Sequence, residues 1–226
     1  MLRKGAMTDL ADPERALALA YAPANRRPAL ELLWRLDERF GDALAAGREP
    51  MIRAIRLAWW RESLEALDTG APPAEPLLAE IAATLLPLGI SGAELASIEE
   101  GWAAIVDTPG EEDIAAHGRC RGGRLFGIAS RLLAGREAPD AVAAGEGWAL
   151  ADLAAMLDDR AARAAARALG RVRLGPLAGT VWPRCLRPLG VLAVLAARDL
   201  GAEGERSRRG SPGRVMRALW MGISGR

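Results

Sequence analysis

The sequence is poor in the residue types that build zinc sites, iron–sulfur centres and disulfide frameworks. Its 226 residues include two cysteines, Cys120 and Cys185, far apart in the chain, and one histidine, His117. None of them has the spacing of a zinc or iron–sulfur site, and one distant cysteine pair does not make a disulfide framework. A protease pair of Cys120 and His117 lacks a third group to orient it. We therefore expect a reduced, cytoplasmic setting.

The balance of charge argues against a nucleic-acid binder and against a disordered acidic chain. The sequence has 30 basic and 29 acidic residues, a formal net charge of +1, and half of its residues are apolar. A chain of this length and composition can bury a sizeable core, so we expect a globular protein with no nucleic-acid partner. Of the basic residues only Lys4 is lysine, so a single arginine is weak grounds for a binding site.

No segment has the length and apolarity of a membrane span. The nearest candidate, residues 186–197, is short and contains Arg187 and Pro188. Residues 1–7 lack the apolar core of a signal peptide. We expect a soluble or surface-associated protein, with residues 1–11 disordered.

The periodic segments are helical, and none shows the alternation of a strand. Proline at the first helical position and the capping-box pattern Ser/Thr-x-x-Glu predict helix starts. About eight helices without an obvious break predict an all-α, single-domain bundle over residues 1–226, with a polar linker at 201–213. The predicted starts and ranges are Pro13, Pro28, Pro50, a helix ending near 86, the capping boxes Ser91–Glu94 and Thr108–Glu111, and residues 147–169, 177–200 and 214–226.

Residues 55–64, Ile-Arg-Leu-Ala-Trp-Trp-Arg-Glu-Ser-Leu, place two adjacent tryptophans on a helix without glycine or proline. At 100° per residue, Leu57, Trp60 and Leu64 form one apolar stripe, and Ile55 and Trp59 belong to a second beside it. The simplest interpretation is a core helix with two large side chains.

The order of four segments resembles the squalene/phytoene synthase family. The segments are residues 25–36, residues 55–64, residues 117–135 with their glycine pair, and residues 147–174. The similarity is closest to a divergent bacterial and mitochondrial branch with an RLxWWR helix, and it covers most of the chain from about Asp12.

This resemblance implies an isoprenoid (terpenoid) synthase-type fold and, for active members, head-to-head condensation of two prenyl diphosphates. Two DxxxD motifs on facing helices hold Mg²⁺ against the diphosphates in such enzymes. Carboxylates four residues apart share a helix face, and hard cations prefer oxygen ligands. The metal neutralises the leaving diphosphate, and an apolar cavity shields the carbocation.

Carried over to this chain, the first motif becomes Glu38 and Asp42, an altered ExxxD pair. The second motif places Asp159 at its first aspartate and Arg163 where the second should be. Asp152 lies seven residues before Asp159 and is a substitute partner. The resemblance thus implies catalytic roles for Glu38, Asp42 and Asp159 and a Mg²⁺ site formed by these three with Asp152. The structural alternative is a pair of solvated acidic faces, salt-bridged to neighbouring arginines.

Other candidate residues follow from the same resemblance. Guanidinium groups suit phosphate oxygens, although arginine is abundant throughout this chain. His117 is expected to be a packed helix histidine. The candidate diphosphate ligands are Arg26, Arg27, Arg35 and Arg56, and the predicted cavity walls are Trp59, Trp60, Gly122 and Gly123.

The C-terminal segment is predicted to be a basic amphipathic helix. Its apolar residues fall on one face, flanked by arginines, which suits either an anionic membrane surface on the inner face of the membrane or packing on the bundle. The residues of that face are Val215, Met216, Leu219, Trp220 and Ile223.

Two functions stay open from the sequence. The first is a Mg²⁺-dependent prenyltransferase of the squalene/phytoene synthase type, acting on prenyl diphosphates. The second is a non-catalytic member that binds a prenyl or other lipid chain, or that assists assembly of a respiratory complex by binding one of its subunits, as the mitochondrial branch implies. An unrelated helical bundle that matches by composition is a third, weaker interpretation.

Overall fold

The computed structural model describes residues 8–47, 49–202 and 208–226, and these contain no β-strand. Twelve α-helices follow one another along the described chain. They are α1 (Pro13–Leu19), α2 (Arg27–Ala45), α3 (Pro50–Ala66), α4 (Pro76–Thr84), α5 (Gly92–Ser97), α6 (Glu99–Ala103), α7 (Glu111–Ala116), α8 (Arg124–Ala134), α9 (Pro139–Met156), α10 (Arg160–Leu174), α11 (Arg187–Gly201) and α12 (Pro212–Ser224). A π-helical segment, His117–Gly123, joins α7 to α8.

Helix α9 lies at the centre of the bundle, with α8, α10, α11 and the π-helical segment packed around it. It is buried on most of its faces because its sequence is rich in alanine and glycine, which let neighbouring backbones come close. The closest approach joins Gly122 of the π-helical segment to Gly145 of α9. A Cβ built on Gly122 would lie 2.0 Å from the carbonyl oxygen of Gly145.

Several predicted helix starts are confirmed. Pro13 lies in the first turn of α1, which Asp12 caps by accepting the backbone N–H of Glu14. Pro50 opens α3, and the capping box of Ser91 and Glu94 is formed at α5. The other predicted capping box is wrong, because α7 is capped at Gly110 rather than at Thr108.

Of two long helices that the sequence predicts, the structure divides one and shortens the other. The segment 147–169 belongs to two helices, α9 and α10, because Leu157 is extended and Asp159 caps a new helix. The segment 177–200 becomes α-helical only at Arg187, after a 3₁₀ turn at Arg184–Leu186, since Pro188 lies in the first turn of α11 and marks its start.

The start of the described chain is tied to α2. The backbone N–H of Asp9 donates to Glu31, and that of Ala11 donates to Glu38. Residues 9 and 11 of the segment predicted to be disordered thus contact α2, and its first seven residues lie outside the described ones. In the predicted linker, residues 203–207 also lie outside them.

No single helix within the described ranges is both long and apolar enough to cross a bilayer. One bent pair, Pro76–Leu88 with Gly92–Ala103, meets the criteria of length and composition together, with a bend of 114°.

Candidate functional site

A buried carboxylate, Asp37, lies at the centre of the bundle on the inward face of α2. Its oxygens accept hydrogen bonds from three side chains. Arg121 donates through Nε and Nη2 at 3.0 and 3.1 Å, Arg15 through Nη2 at 2.5 Å, and the Trp102 indole at 2.8 Å. Burial alone raises the pKa of Asp37, but Arg121 and Arg15 outweigh it and lower that pKa to about 2.

Arg121 connects the two acidic helices. Its side chain is 1% exposed, and its Nη2 donates both to Asp37 on α2 and, at 2.9 Å, to Asp152 on α9. The guanidinium also lies 4.0 Å from the ring centre of Trp102 and 4.7 Å from that of Trp148, an arrangement that adds cation–π attraction. A fixed positive charge thus bridges carboxylates from two facing helices.

His117 completes the buried cluster as a neutral side chain. Its Nδ1 lies 2.6 Å from the carbonyl oxygen of Gly101, which can only accept, so Nδ1 carries the proton. The bare Nε2 then accepts from Nη1 of Arg121 at 3.2 Å. Burial, and next the charge of Arg121, lower the pKa of His117 to about 3. The expected packed helix histidine is confirmed.

This histidine predicts a loss of stability between pH 6.5 and pH 5. Its pKa is about 3 when folded and ordinary, near 6.5, when unfolded, so the unfolded chain binds the extra proton as the pH falls. The free energy of unfolding should fall by about 2 kcal/mol across this range. Burial raises the pKa of Glu99. As the pH falls towards 5, this shift increases the free energy of unfolding and so opposes part of the loss caused by His117.

The measurement is urea unfolding at several pH values for the wild type, His117→Asn and Glu99→Gln. His117→Asn should flatten the dependence between pH 6.5 and pH 5, and Glu99→Gln should leave it at least as steep. An unchanged slope in His117→Asn would contradict the assignment. Asp37 does not contribute in this range, since its stabilisation is lost only as the pH falls from about 4 towards its pKa of about 2.

Above the buried cluster lies a small cavity of about 280 Å³ at the ends of α1 and α2. It brings together three of the four residues predicted to hold Mg²⁺, namely Glu38, Asp42 and Asp152. Arg209 closes the cavity by pairing with Asp152 and with Asp12. Both carboxylate oxygens of Glu38 accept backbone N–H groups, from Ala11 at 3.0 Å and from Asp12 at 3.1 Å.

Asp159, the fourth predicted ligand, is not part of this cavity. Its exposed carboxylate accepts the backbone N–H of Ala162 at 2.7 Å and caps α10. Arg163, at the position of the missing aspartate, donates to the carbonyl oxygen of Leu157. In the structure the side chain of Asp159 serves the helix break between α9 and α10, and its metal-binding role stays a prediction.

The residues present do not fit a Mg²⁺ site. Across the described residues, no three acidic, histidine or cysteine side chains converge in a way that could hold a metal ion. Arg15, Arg121 and Arg209 already neutralise the carboxylates that approach one another. A divalent cation placed among them would meet guanidinium groups at close range, which hard-cation sites avoid.

The structure does not gather the four arginines predicted to bind diphosphate. Arg35 pairs with Glu80 on α4 at 2.6 Å. Arg27 donates to the carbonyl oxygens of Ala20 and Ala22, and Arg26 precedes α2 as its N-cap. Arg56 lies elsewhere, where it donates to the carbonyl oxygen of Ala46. Three of the four, Arg27, Arg35 and Arg56, thus make contacts with separate parts of the fold.

A second cavity, of about 420 Å³, lies between α2 and α3 and is referred to below as the tryptophan groove. It is largely apolar, and both predicted tryptophans line it, with Trp59 46% exposed and Trp60 buried. Gly122 and Gly123, also predicted to line a cavity, are buried at the contact with α9 instead. The lining residues of the groove are Arg39, Asp42, Ala43, Ala46, Ile55, Arg56, Trp59 and Trp60.

The candidate residues predicted from the sequence do not include the three at the centre of the cluster, Arg15, Asp37 and Arg121. Asp37 did carry a signal. It lies four residues after Leu33 and seven after Leu30, on the stripe of α2 that is otherwise apolar and buried, and a charged residue in such a stripe needs a buried partner. The partners are distant in sequence, 22 and 84 residues away, and no local pattern indicates them.

The described residues form an all-α bundle in which α2 and α9 both direct carboxylates towards Arg121. The chain matches the crystal structure of a dehydrosqualene synthase in complex with ligand, with a TM-score of 0.72 and 13% sequence identity, over 93% of this chain and 90% of that one. The predicted fold class is thereby confirmed. No family model matches the sequence, and no curated protein does.

Proposed function

We propose that this protein is a non-catalytic form of the synthase fold, which binds an isoprenoid or other lipid chain rather than condensing prenyl diphosphates. The observation that carries the proposal is the bridge from Asp37 through Arg121 to Asp152. Asp152 is one of the carboxylates predicted to hold Mg²⁺, and Asp37 adjoins another, Glu38; here both Asp37 and Asp152 hold an arginine.

The positive charge of the bridging Arg121 opposes Mg²⁺-assisted departure of a diphosphate. A diphosphate departs with the help of metal cations that contact both the oxygens of the diphosphate and the carboxylates of the protein. The Arg121 guanidinium is nearly inaccessible, and burial lowers its pKa less than Asp37 and Asp152 raise it. It therefore stays charged and fixed, and it neutralises the carboxylates without reaching a substrate.

The tryptophan groove supports the binding role. Its walls are mostly apolar, and indole rings offer large areas to an apolar chain. The ring centres of Trp59 and Trp60 lie 5.2 Å apart in an edge-to-face arrangement. The neighbouring ring therefore helps to position Trp59, although Trp59 is partly exposed. The arginines at the rim, Arg39 and Arg56, suit a polar or anionic end group.

A protein partner is a second candidate, which the outer face of α3 favours. Met51, Ile52 and Ile55 are exposed beside the groove, and a contiguous apolar patch of this kind marks contact surfaces. In the branch that the sequence resembles, such a partner is a respiratory-complex subunit.

The test combines turnover with binding. The purified protein, incubated with Mg²⁺ and farnesyl or geranylgeranyl diphosphate, should release no pyrophosphate, whereas a dehydrosqualene synthase in the same assay should. Farnesol should bind, as measured by calorimetry, and Ile55→Asp should weaken that binding at least tenfold. Leu88→Asp, at another exposed apolar position, is the matched control and should leave it unchanged.

Two results would contradict the proposal. Pyrophosphate release that disappears in Glu38→Gln would establish the enzyme. If the wild type does not bind farnesol, the lipid-binding function is excluded and binding of a protein partner remains as the candidate function.

A further inference from the structure

The two parts of the chain differ sharply in charge. Residues 160–226 carry fourteen arginines against three acidic residues, whereas residues 1–159 carry sixteen basic residues against twenty-six acidic ones. The near-neutral total therefore hides a strongly basic C-terminal part. Helices α10, α11 and α12 belong to this part.

Helix α12 leaves an apolar stripe uncovered. Met216, Trp220 and Ile223 follow one another at helical spacing and are 65%, 66% and 71% exposed. The opposite face of α12 holds the helix to the bundle, through buried Arg214 and Met221 among others. The predicted apolar face is thus present, and its outer side is not used in packing the bundle.

The attachment of α12 is rigid. Arg214 is 1% exposed and pairs with Glu14 on α1 and with Asp199 on α11. These bonds raise the pKa of Arg214 against the effect of burial, so it stays charged. The exposed stripe therefore keeps a fixed orientation, and binding through it costs little ordering.

A cavity of about 570 Å³ opens beside α12, between α11 and the segment that follows α10. Its apolar walls include Leu177, Trp182 and Val194, and three guanidinium groups border it, those of Arg198, Arg217 and Arg226. No described acidic residue lines the cavity. Within the described part of the chain, none of these guanidiniums has a hydrogen bond or an ion pair of its own.

The other side of α12 has the same character. A cavity of about 440 Å³ is lined there by Arg184, Arg187 and Ile223, again with no described acidic residue. Arg187 donates to the carbonyl oxygens of Gly222 and Ile223, at the end of α12. Each of the two cavities is thus lined by residues of α12 and by arginines, with no acidic residue among the described ones.

We propose that α12 docks on the surface of a bilayer that contains anionic phospholipids. The stripe enters the interfacial region, where a tryptophan places its ring among apolar chains and its N–H towards water. A lipid phosphate binds among Arg198, Arg217 and Arg226, since guanidinium forks match phosphate oxygens. The charge of this face selects anionic over zwitterionic lipids.

The test is co-sedimentation of the full chain with vesicles of phosphatidylcholine, with or without phosphatidylglycerol. Binding should be at least tenfold tighter with phosphatidylglycerol and should weaken as salt is added. Trp220→Ser should weaken it at least tenfold, and Arg217→Gln about fivefold.

Matched controls lie in the acidic part of the chain. Leu88→Ser removes another exposed apolar side chain, and Arg136→Gln another exposed arginine. Neither should change vesicle binding, and circular dichroism should show all four variants folded.

Four results would overturn the proposal. The first is equal binding to both kinds of vesicle, and the second is equal effects of Trp220→Ser and Leu88→Ser. The third is saturable binding of inorganic phosphate by a protein that has no affinity for either kind of vesicle, which would mean that the cavity takes a free anion and that α12 does not need a bilayer. Saturable binding to an acidic protein with no affinity for vesicles would likewise replace the bilayer by a protein partner.

Discussion

Replacing Arg121 with methionine should lower the free energy of unfolding by about 3–5 kcal/mol. The substitution keeps an unbranched apolar stem but leaves Asp37, which is fully buried, with Arg15 as its remaining charged partner. Losing one member of a buried ionic cluster costs far more than the cluster contributes as a whole, because the surviving charge cannot reach water. Equilibrium unfolding in urea, followed by circular dichroism, measures the loss.

The matched control for this variant is Arg119→Met, two residues earlier in the same π-helical segment. Arg119 pairs with Glu112 at the surface, where an ion pair contributes about 0–1 kcal/mol. The double variant Arg121→Met with Asp37→Leu should recover part of the lost stability, since it removes the stranded charge as well. If Arg121→Met cost no more than Arg119→Met, the bridge would not be a structural element of this bundle.

Replacing Gly122 with alanine should cost about 3 kcal/mol or more. The new methyl group would lie 2.0 Å from the backbone oxygen of Gly145. Backbone cannot rotate away as a side chain does, so α9 and the π-helical segment would have to separate. Gly145→Ala should have a similar effect, because its Cβ would lie 2.1 Å from the oxygen of Gly122.

The neighbouring glycine is the control for that contact. A Cβ on Gly123 would meet the flexible side chain of Glu146 at 3.2 Å, and alanine is the better helix former by about 1 kcal/mol. Gly123→Ala should therefore change the melting temperature little, in either direction. A comparable fall in both variants would mean that helix geometry, rather than the contact with α9, explains the effect.

The sequence predicted the architecture better than it predicted the site. Helix starts are local, so Pro13, Pro50 and Ser91 sufficed to place them. The break after α9 has a local signal too, since Asp159 is a favourable N-cap. The resemblance places a second acidic motif at the same position and therefore predicts a metal ligand there.

The site depends on contacts that are remote in sequence. Glu38, Asp42 and Asp152 do reach one cavity, as facing acidic helices require. What those carboxylates do is decided by Arg15, Arg121 and Arg209, which come from three other parts of the chain. Arginine is so frequent here that no count or spacing distinguishes these three from the rest.

Asp152 has two arginine partners that belong to different parts of the molecule. Arg121 ties it to the buried cluster, and Arg209 ties it to the segment just before α12. The buried cluster and the segment that precedes the basic helix α12 therefore share the carboxylate of Asp152. Any ligand that shifts Arg209 changes the electrostatic balance around Asp37, and a change at the centre acts back on the outer helix by the same free energy, because thermodynamic coupling between two sites is reciprocal.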